Sequence, residues 1–314
     1  MKYVVFDCDC TFGVENCDVD DGLALLYLLG SKEANLLGVT ATYGNNRIEV
    51  VSRTLKEMFA ALHLNALPML VGGACAGAYD SDAARFLAKT AAAYPSKLSV
   101  LATGSLTNLY GAYLYDTHFF EHVAEIVLMG GITAPLVFEK KEMAELNFSC
   151  DPKASFHVLT KGRHVSVLTG NNCLSVLFRK KEYMERLFVP GSRIGAYIRE
   201  KSDAWFHYNE ADYGIDGFYN WDATAAAYLI HPELFRDVQS AFLLSEAALC
   251  RGYLEKEQGG EGNAVVKNSF VQQASMEKKT RCMLNLPEIA SPDAFKNSLY
   301  ETWLGVEMKS SINN

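Results

Sequence analysis

The sequence predicts an open α/β fold, with a largely parallel sheet carrying helices on both faces, and three observations predict it. Short apolar runs alternate with longer helix-like runs through the N-terminal two-thirds of the chain. Almost every apolar run ends in Gly or Asp: Asp7, Gly44, Gly72-Gly73, Gly104, Gly130-Gly131 and Gly170. Five aspartates (7, 9, 18, 20 and 21) crowd the end of the first apolar run and the start of the first helix-like one. In open α/β sheets ligands bind at the carboxyl ends of strands, so these features would share one edge.

The strand candidates are Tyr3–Phe6, Leu36–Thr42, Met69–Val71, Leu98–Ala102, Ile126–Met129 and Val165–Leu168. The helix-like segments between them are Asp21–Leu29, Arg47–Leu62, Asp82–Ala93, Leu106–Phe120 and Pro152–Thr160. Beyond Cys173 the rhythm weakens. Arg179–Leu187 and Ile194–Asn209 read as helical, with an aromatic, acidic loop expected over Trp205–Tyr219. Trp221-Asp222 opens a helix running to Ile230, which Pro232 helps to end. Val238–Leu244 and Ala264–Val271 read as strands, at a sheet edge or as a hairpin, and Glu255–Asn263 as a surface loop. No repeat or composition break divides the 314 residues, so a single domain over 1–314 is expected.

A formal net charge of −8 argues against a nucleic-acid surface, and no apolar run is long enough for a membrane span. The chain enters its first strand without a signal-peptide pattern, and its eight cysteines show no CxxC or zinc spacing. A cytoplasmic protein with reduced cysteines is the expectation.

The aspartate cluster has two readings. Five carboxylates so close repel one another unless a cation lies among them, and a hard divalent ion with oxygen ligands suits them. Alternatively Asp20 and Asp21 merely cap the helix while Asp7 and Asp9 sit in a solvated turn. An EF-hand is excluded, because position six from Asp7 is Phe12 and no helix precedes the loop. The glycine-rich pieces GGACAG and TGSLTN match neither GxGxxG nor a P-loop. Asp7–Thr11, DCDCT, resembles the first motif of haloacid-dehalogenase-like phosphatases, where Asp7 would be the nucleophile and Asp9 the acid/base. The later acidic motif of that family has only a weak counterpart, Gly214-Ile215-Asp216 through Asp222, after an aromatic loop.

Four later segments complete a different pattern. Thr42-Tyr43-Gly44-Asn45-Asn46 ends the second strand, and Val127-Leu128-Met129-Gly130-Gly131 ends the fifth. Ala144-Glu145-Leu146-Asn147 precedes Asp151-Pro152, and Asn220-Trp221-Asp222-Ala223 opens a late helix. With the acidic start, these resemble the inosine–uridine nucleoside hydrolase family from about Tyr3 to Ala227. The resemblance implies that family's Rossmann-like fold and hydrolysis of ribonucleosides to base and ribose. It implies Ca²⁺ held by Asp9, Asp21, Asp222 and the Leu128 carbonyl, with Asp9 as general base toward a calcium-held water. Asp20, Asn45, Met129, Glu145 and Asn147 would contact the substrate, and a homo-oligomer is expected. Trp221 stands where many members have His; it resembles the purine-preferring branch, where stacking helps activate the base, and otherwise it is a core tryptophan at a helix start. A catalytically silent nucleoside-binding homologue is the third alternative.

Two further departures mark this chain. Asp9 and Asp20 lie eleven positions apart, with Cys10-Thr11-Phe12 where the family has Pro-Gly, so the loop to Val19 is unusually long. Phe138-Glu139-Lys140-Lys141 occupies the region where an additional Asn is common. Within the expected aromatic loop, His207, Tyr208 and Tyr213 are candidate lid or leaving-group contacts; an ordinary surface loop is the alternative.

Overall fold

The computed structural model describes residues 1–257 and 279–308. Its central sheet has eight strands: β1 (Lys2–Cys8), β2 (Ala34–Ala41), β3 (Met69–Val71), β4 (Leu98–Ala102), β5 (Val123–Met129), β6 (Val165–Leu168), β7 (Gln239–Leu244) and β8 (Thr280–Asn285). Their spatial order is β7-β8-β6-β5-β4-β1-β2-β3. Every pairing is parallel except β7 with β8, which is antiparallel and forms one edge. The chain runs outward from β1 to β3 and then returns to place β4 on the other side of β1. That reversal opens a crevice at the carboxyl ends of β1 and β4, where a ligand site belongs.

The helices are α1 (Asp20–Gly30), α2 (Ile48–Ala61), α3 (Asp82–Ala93), α4 (Thr107–Tyr115), α5 (Pro152–Lys161), α6 (Arg193–Tyr213), α7 (Trp221–Ile230) and α8 (Pro292–Leu304), with shorter turns between. Alternation along β1 explains the two-sided core. Val4, Phe6 and Cys8 join a cluster with residues of α1, α2, α7 and α8. Val5 joins the opposite cluster, with residues of α3, α4 and α5. Because both faces are covered, the central strands are apolar runs rather than alternating ones.

Local signals set the helix ends. Ser81 and Asp151 accept the N–H of Ala84 and Ala154 at 3.1 and 3.0 Å, capping α3 and α5, and Pro152 follows as the first residue of α5. In α1 the side chain of Asp18 receives the N–H groups of Val19 and Asp20, at 2.6 and 3.3 Å.

Three expectations change. The segment expected as one helix over Leu106–Phe120 is divided: α4 ends before Asp116, and a short turn, Phe119–His122, follows. The aromatic loop expected over Trp205–Tyr219 is helical as far as Tyr213, because Trp205, Phe206 and Asn209 recur on one buried face of α6. β7 does form an edge hairpin, but its partner is Thr280–Asn285; the expected strand Ala264–Val271 lies outside the described residues. Among the described residues no helix is long and apolar enough to cross a membrane.

Candidate active site

β1 delivers Asp7 and, just past its end, Asp9; both are fully buried. Asp7 is held inside the sheet. Its Oδ1 accepts hydrogen bonds from Thr40 Oγ1 at 2.5 Å and Asn108 Nδ2 at 2.8 Å. Burial pushes its pKa up to about 7, against the lowering effect of those two donors. An Asp so enclosed ties together β1, β2 and α4, and it is poorly placed for the nucleophilic role of the phosphatase reading.

Asp9 lies at the crevice. Its Oδ2 accepts the backbone N–H of Asn45 at 2.5 Å, and its Oδ1 faces Asn45 Nδ2 at 3.3 Å. A Cβ on Gly44 would lie 1.9 Å from Asp9 Oδ2, so the turn after β2 reaches the carboxylate because position 44 has no side chain. Burial raises the Asp9 pKa to about 6, with the adjoining Asp21 carboxyl and the Asn45 N–H acting the other way.

α1 and α7 pack together with their N-termini at this crevice. They bring carboxylate oxygens of Asp20, Asp21 and Asp222 within 4.8 Å of one another. Asp20 Oδ2 accepts the Asp222 N–H at 3.0 Å, and Thr103 Oγ1, beyond β4, donates to Asp21 Oδ1 at 2.6 Å. Asp21 Oδ2 is buried with no hydrogen-bond partner. Burial, reinforced by neighbouring carboxylates, drives the Asp21 and Asp222 pKa values well above the usual carboxylate range. These all-oxygen donors, one of them buried and unpartnered, fit a hard divalent cation.

The long loop is folded rather than open. Thr11 Oγ1 donates to the Asp18 carbonyl at 2.7 Å, and Phe12 is buried with its ring edge-on to Tyr197, centroids 5.7 Å apart. Asn16, Cys17 and Asp18 thereby form one wall of a cleft of about 200 Å³ above the carboxylates.

The other expected residues divide into two groups. Asp20, Asn45, Met129, Glu145, Asn147, Trp221, Asp222, Tyr208 and Tyr213 all line the cleft. Asn147 Nδ2 spans the ends of β4 and β5, donating to the carbonyls of Thr103 and Met129 at 2.9 and 3.1 Å. Glu145 has its carboxylate engaged by protein: the N–H groups of Gly131, Phe148 and Ser149 donate to it at 2.8 to 2.9 Å. Leu128 is buried one residue before the end of β5.

His207 stands apart from the cleft. It lies on the solvent side of α6, its side chain 66% exposed, with Nε2 3.5 Å from Asp203 and 3.0 Å from Lys180 Nζ. The helical phase that buries Trp205 and Phe206 turns residue 207 outward, and His207 is not among the residues that line the cleft. Trp205, expected only as a neighbour in that loop, lines the cleft instead. Thr103 and Asn108 escaped the sequence reading; a polar residue directly after a central strand, as in Ala102-Thr103-Gly104, is the signal that points to the first.

The family model of the inosine-uridine preferring nucleoside hydrolases matches residues 4–282. The chain belongs to that family. It is a nucleoside hydrolase, an enzyme class that cleaves the N-glycosidic bond of ribonucleosides. A probable uridine nucleosidase 2 of Arabidopsis thaliana is 24% identical, the match covering 74% of this chain and 81% of that one. The rice (Oryza sativa subsp. japonica) protein of the same description is 27% identical over 57% of this nucleoside hydrolase, and the match spans about half of that relative, 53%. In fold, the hydrolase superposes on a purine-preferring ribonucleoside hydrolase from Gardnerella vaginalis with a TM-score of 0.78, at 21% identity, covering 97% of this chain and 99% of that one.

Proposed function

We propose that this nucleoside hydrolase uses Asp9 as general base and holds Ca²⁺ through Asp9, Asp21, Asp222 and the Leu128 carbonyl. The observation that carries the reading is the meeting of Asp20, Asp21 and Asp222 at the crevice below an aromatic cleft, with the Asp9 carboxyl adjoining Asp21. When bound, the cation supplies positive charge that fixes and polarises a water. Asp9 would take one proton from a water as the water oxygen bonds to the anomeric carbon; the carbon–nitrogen bond breaks with its electron pair leaving on the base, which then takes up a proton from solvent. The remaining carboxylates stabilise the positive charge that develops on the ribose.

Asp20, Asn45 and Asn147 line the ribose half and offer oxygen and amide groups to sugar hydroxyls. The base half is walled by Trp205, Tyr208, Tyr213 and Trp221. Trp221 belongs to the hydrophobic core yet also lines the cleft, and the part of its indole at the cleft wall is what would meet a leaving purine. The uridine nucleosidases among the relatives keep a pyrimidine in contention, so the assay is a panel. Ribose release is measured from inosine, guanosine, adenosine, uridine and cytidine, with and without chelator. The expected outcome is release that chelator abolishes and Ca²⁺ restores, greatest with purines. Asp9→Ala should lower turnover by orders of magnitude while the circular dichroism spectrum persists; near-normal turnover would remove Asp9 from the mechanism. Phosphate release from a phosphomonoester, dependent on Mg²⁺, would instead return the phosphatase reading.

A further inference from the structure

The C-terminal half of α6 carries Trp205, Tyr208 and Tyr213 of the cleft's aromatic wall, and its last turn is electrostatically awkward. The final carbonyls of a helix lack intrahelical donors and form a negative pole. α6 has no basic residue in its own last turn and places Glu210 and Asp212 there. The compensating cations come from another element. A two-stranded hairpin, Leu136–Val137 with Glu142–Met143, presents its turn to this helix end.

Every residue of that turn is engaged. Lys140 Nζ donates to the carbonyls of Glu210 and Ala211 at 2.8 and 3.0 Å, and the Lys140 backbone N–H donates to the Tyr213 carbonyl at 3.2 Å. Lys141 forms an ion pair with Asp212 and lies 4.3 Å over the Tyr213 ring. Glu139 sits against Gly214, whose φ of 75° ends the helix; a Cβ there would come within 2.9 Å of the Glu139 side chain. Phe138 packs edge-on to Tyr213, with ring centroids 5.9 Å apart. From Tyr213 the ring contacts continue to Tyr208 at 6.2 Å and from Tyr208 to Trp205 at 5.2 Å. The contacts thus run from an exposed charged turn to the rings lining the base half of the cleft.

We infer that Phe138–Lys141 is a charge-dependent clamp that positions the aromatic wall and thereby sets affinity for the nucleobase. The inference rests on the reading of this half of the cleft as the leaving-group side. Lys140 and Lys141 are positioning residues, acting through Tyr213, Tyr208 and Trp205 and remote from the carboxylate cluster. Exposed ion pairs are screened by salt, so the clamp weakens as ionic strength rises.

The test is the double variant Lys140→Met with Lys141→Met, which keeps an unbranched side chain of nearly the same length and removes charge from two exposed positions. Its KM for the best nucleoside should rise about tenfold, the scale expected on removing two such charge interactions, while kcat stays within about twofold. Wild-type KM should climb with salt and the variant's should not. Arginine at both positions should restore the wild-type KM. Acrylamide quenching of indole emission should increase in the variant, relative to Trp205→Phe protein as the baseline. Unchanged quenching overturns the clamp, and increased quenching with unchanged KM overturns its role in base binding. Wild-type protein that releases no ribose from any nucleoside overturns the functional reading instead, and quenching still decides whether the clamp exists.

Discussion

Glu145 shows how little a residue's type says about its task until its partners are known. As a carboxylate beside a sugar cleft it looks like a hydroxyl acceptor, yet three backbone N–H groups already occupy it. Those bonds fix Gly131, behind β5, against the Phe148-Ser149 turn, and burial still raises its pKa. Glu145→Ala leaves three donors without a partner and should cost at least about 2 kcal/mol, the scale of charge-assisted hydrogen bonds removed from a buried site. Urea denaturation measures that cost. A KM effect with unchanged stability would show instead that the carboxylate serves the sugar. Asp9 is the opposite case: Asn45 offers it both a backbone N–H and a side-chain amide. Asn45→Ala should therefore disturb Asp9 as well as the sugar, lowering kcat as well as raising KM, which steady-state kinetics separates.

Among the elements, α5 and the hairpin turn illustrate two kinds of helix-end control. Asp151 caps α5 from within, and it also accepts Thr107 Oγ1 at 2.8 Å, so one carboxylate locks α5 to the start of α4. Asp151→Ala should lower stability by about 1–2 kcal/mol for the cap and further for the link to α4, measurable as a reduced melting temperature. That cap was legible, because Asp-Pro before an amphipathic run is a recognised start signal. The end of α6 was not. Its aromatic residues read as a loop, since the buried face at 205, 206 and 209 includes a polar residue, Asn209, and is interrupted by charge. The compensating lysines lie about seventy residues earlier in the chain.

At the scale of the whole molecule, the buried carboxylates link stability to pH and to a cation. Asp7 and Asp9 rise from 3.8 to about 7 and about 6 on folding. Between these limits the folded chain keeps protons that the unfolded chain has released, so stability is fully present below the unfolded value. It is lost as pH rises through the folded ones. A divalent cation among the carboxylates favours their ionised forms and opposes that loss. In chelator, the melting temperature should fall between pH 5 and pH 8, and Ca²⁺ should raise it more at pH 8 than at pH 5. Calorimetry in which Ca²⁺ leaves the pH 8 transition unmoved would discard the cation site.

The sequence by itself determined the alternation of strands and helices, the turns that end them, and the family, because periodicity and short motifs are local properties of the chain. It also drew together Asp9, Asp21, Asn45, Asn147 and Asp222 as candidates across more than two hundred positions, through the family resemblance that its motifs carry. Only the tertiary structure decided what each does with its polar atoms: Asp7 bound inside the sheet, Glu145 occupied by backbone, His207 turned to solvent and Trp205 turned inward. Those outcomes depend on helical phase and on which donors the crevice between β1 and β4 brings within about 3 Å. Such distances arise between residues far apart in the chain, and no local pattern records them.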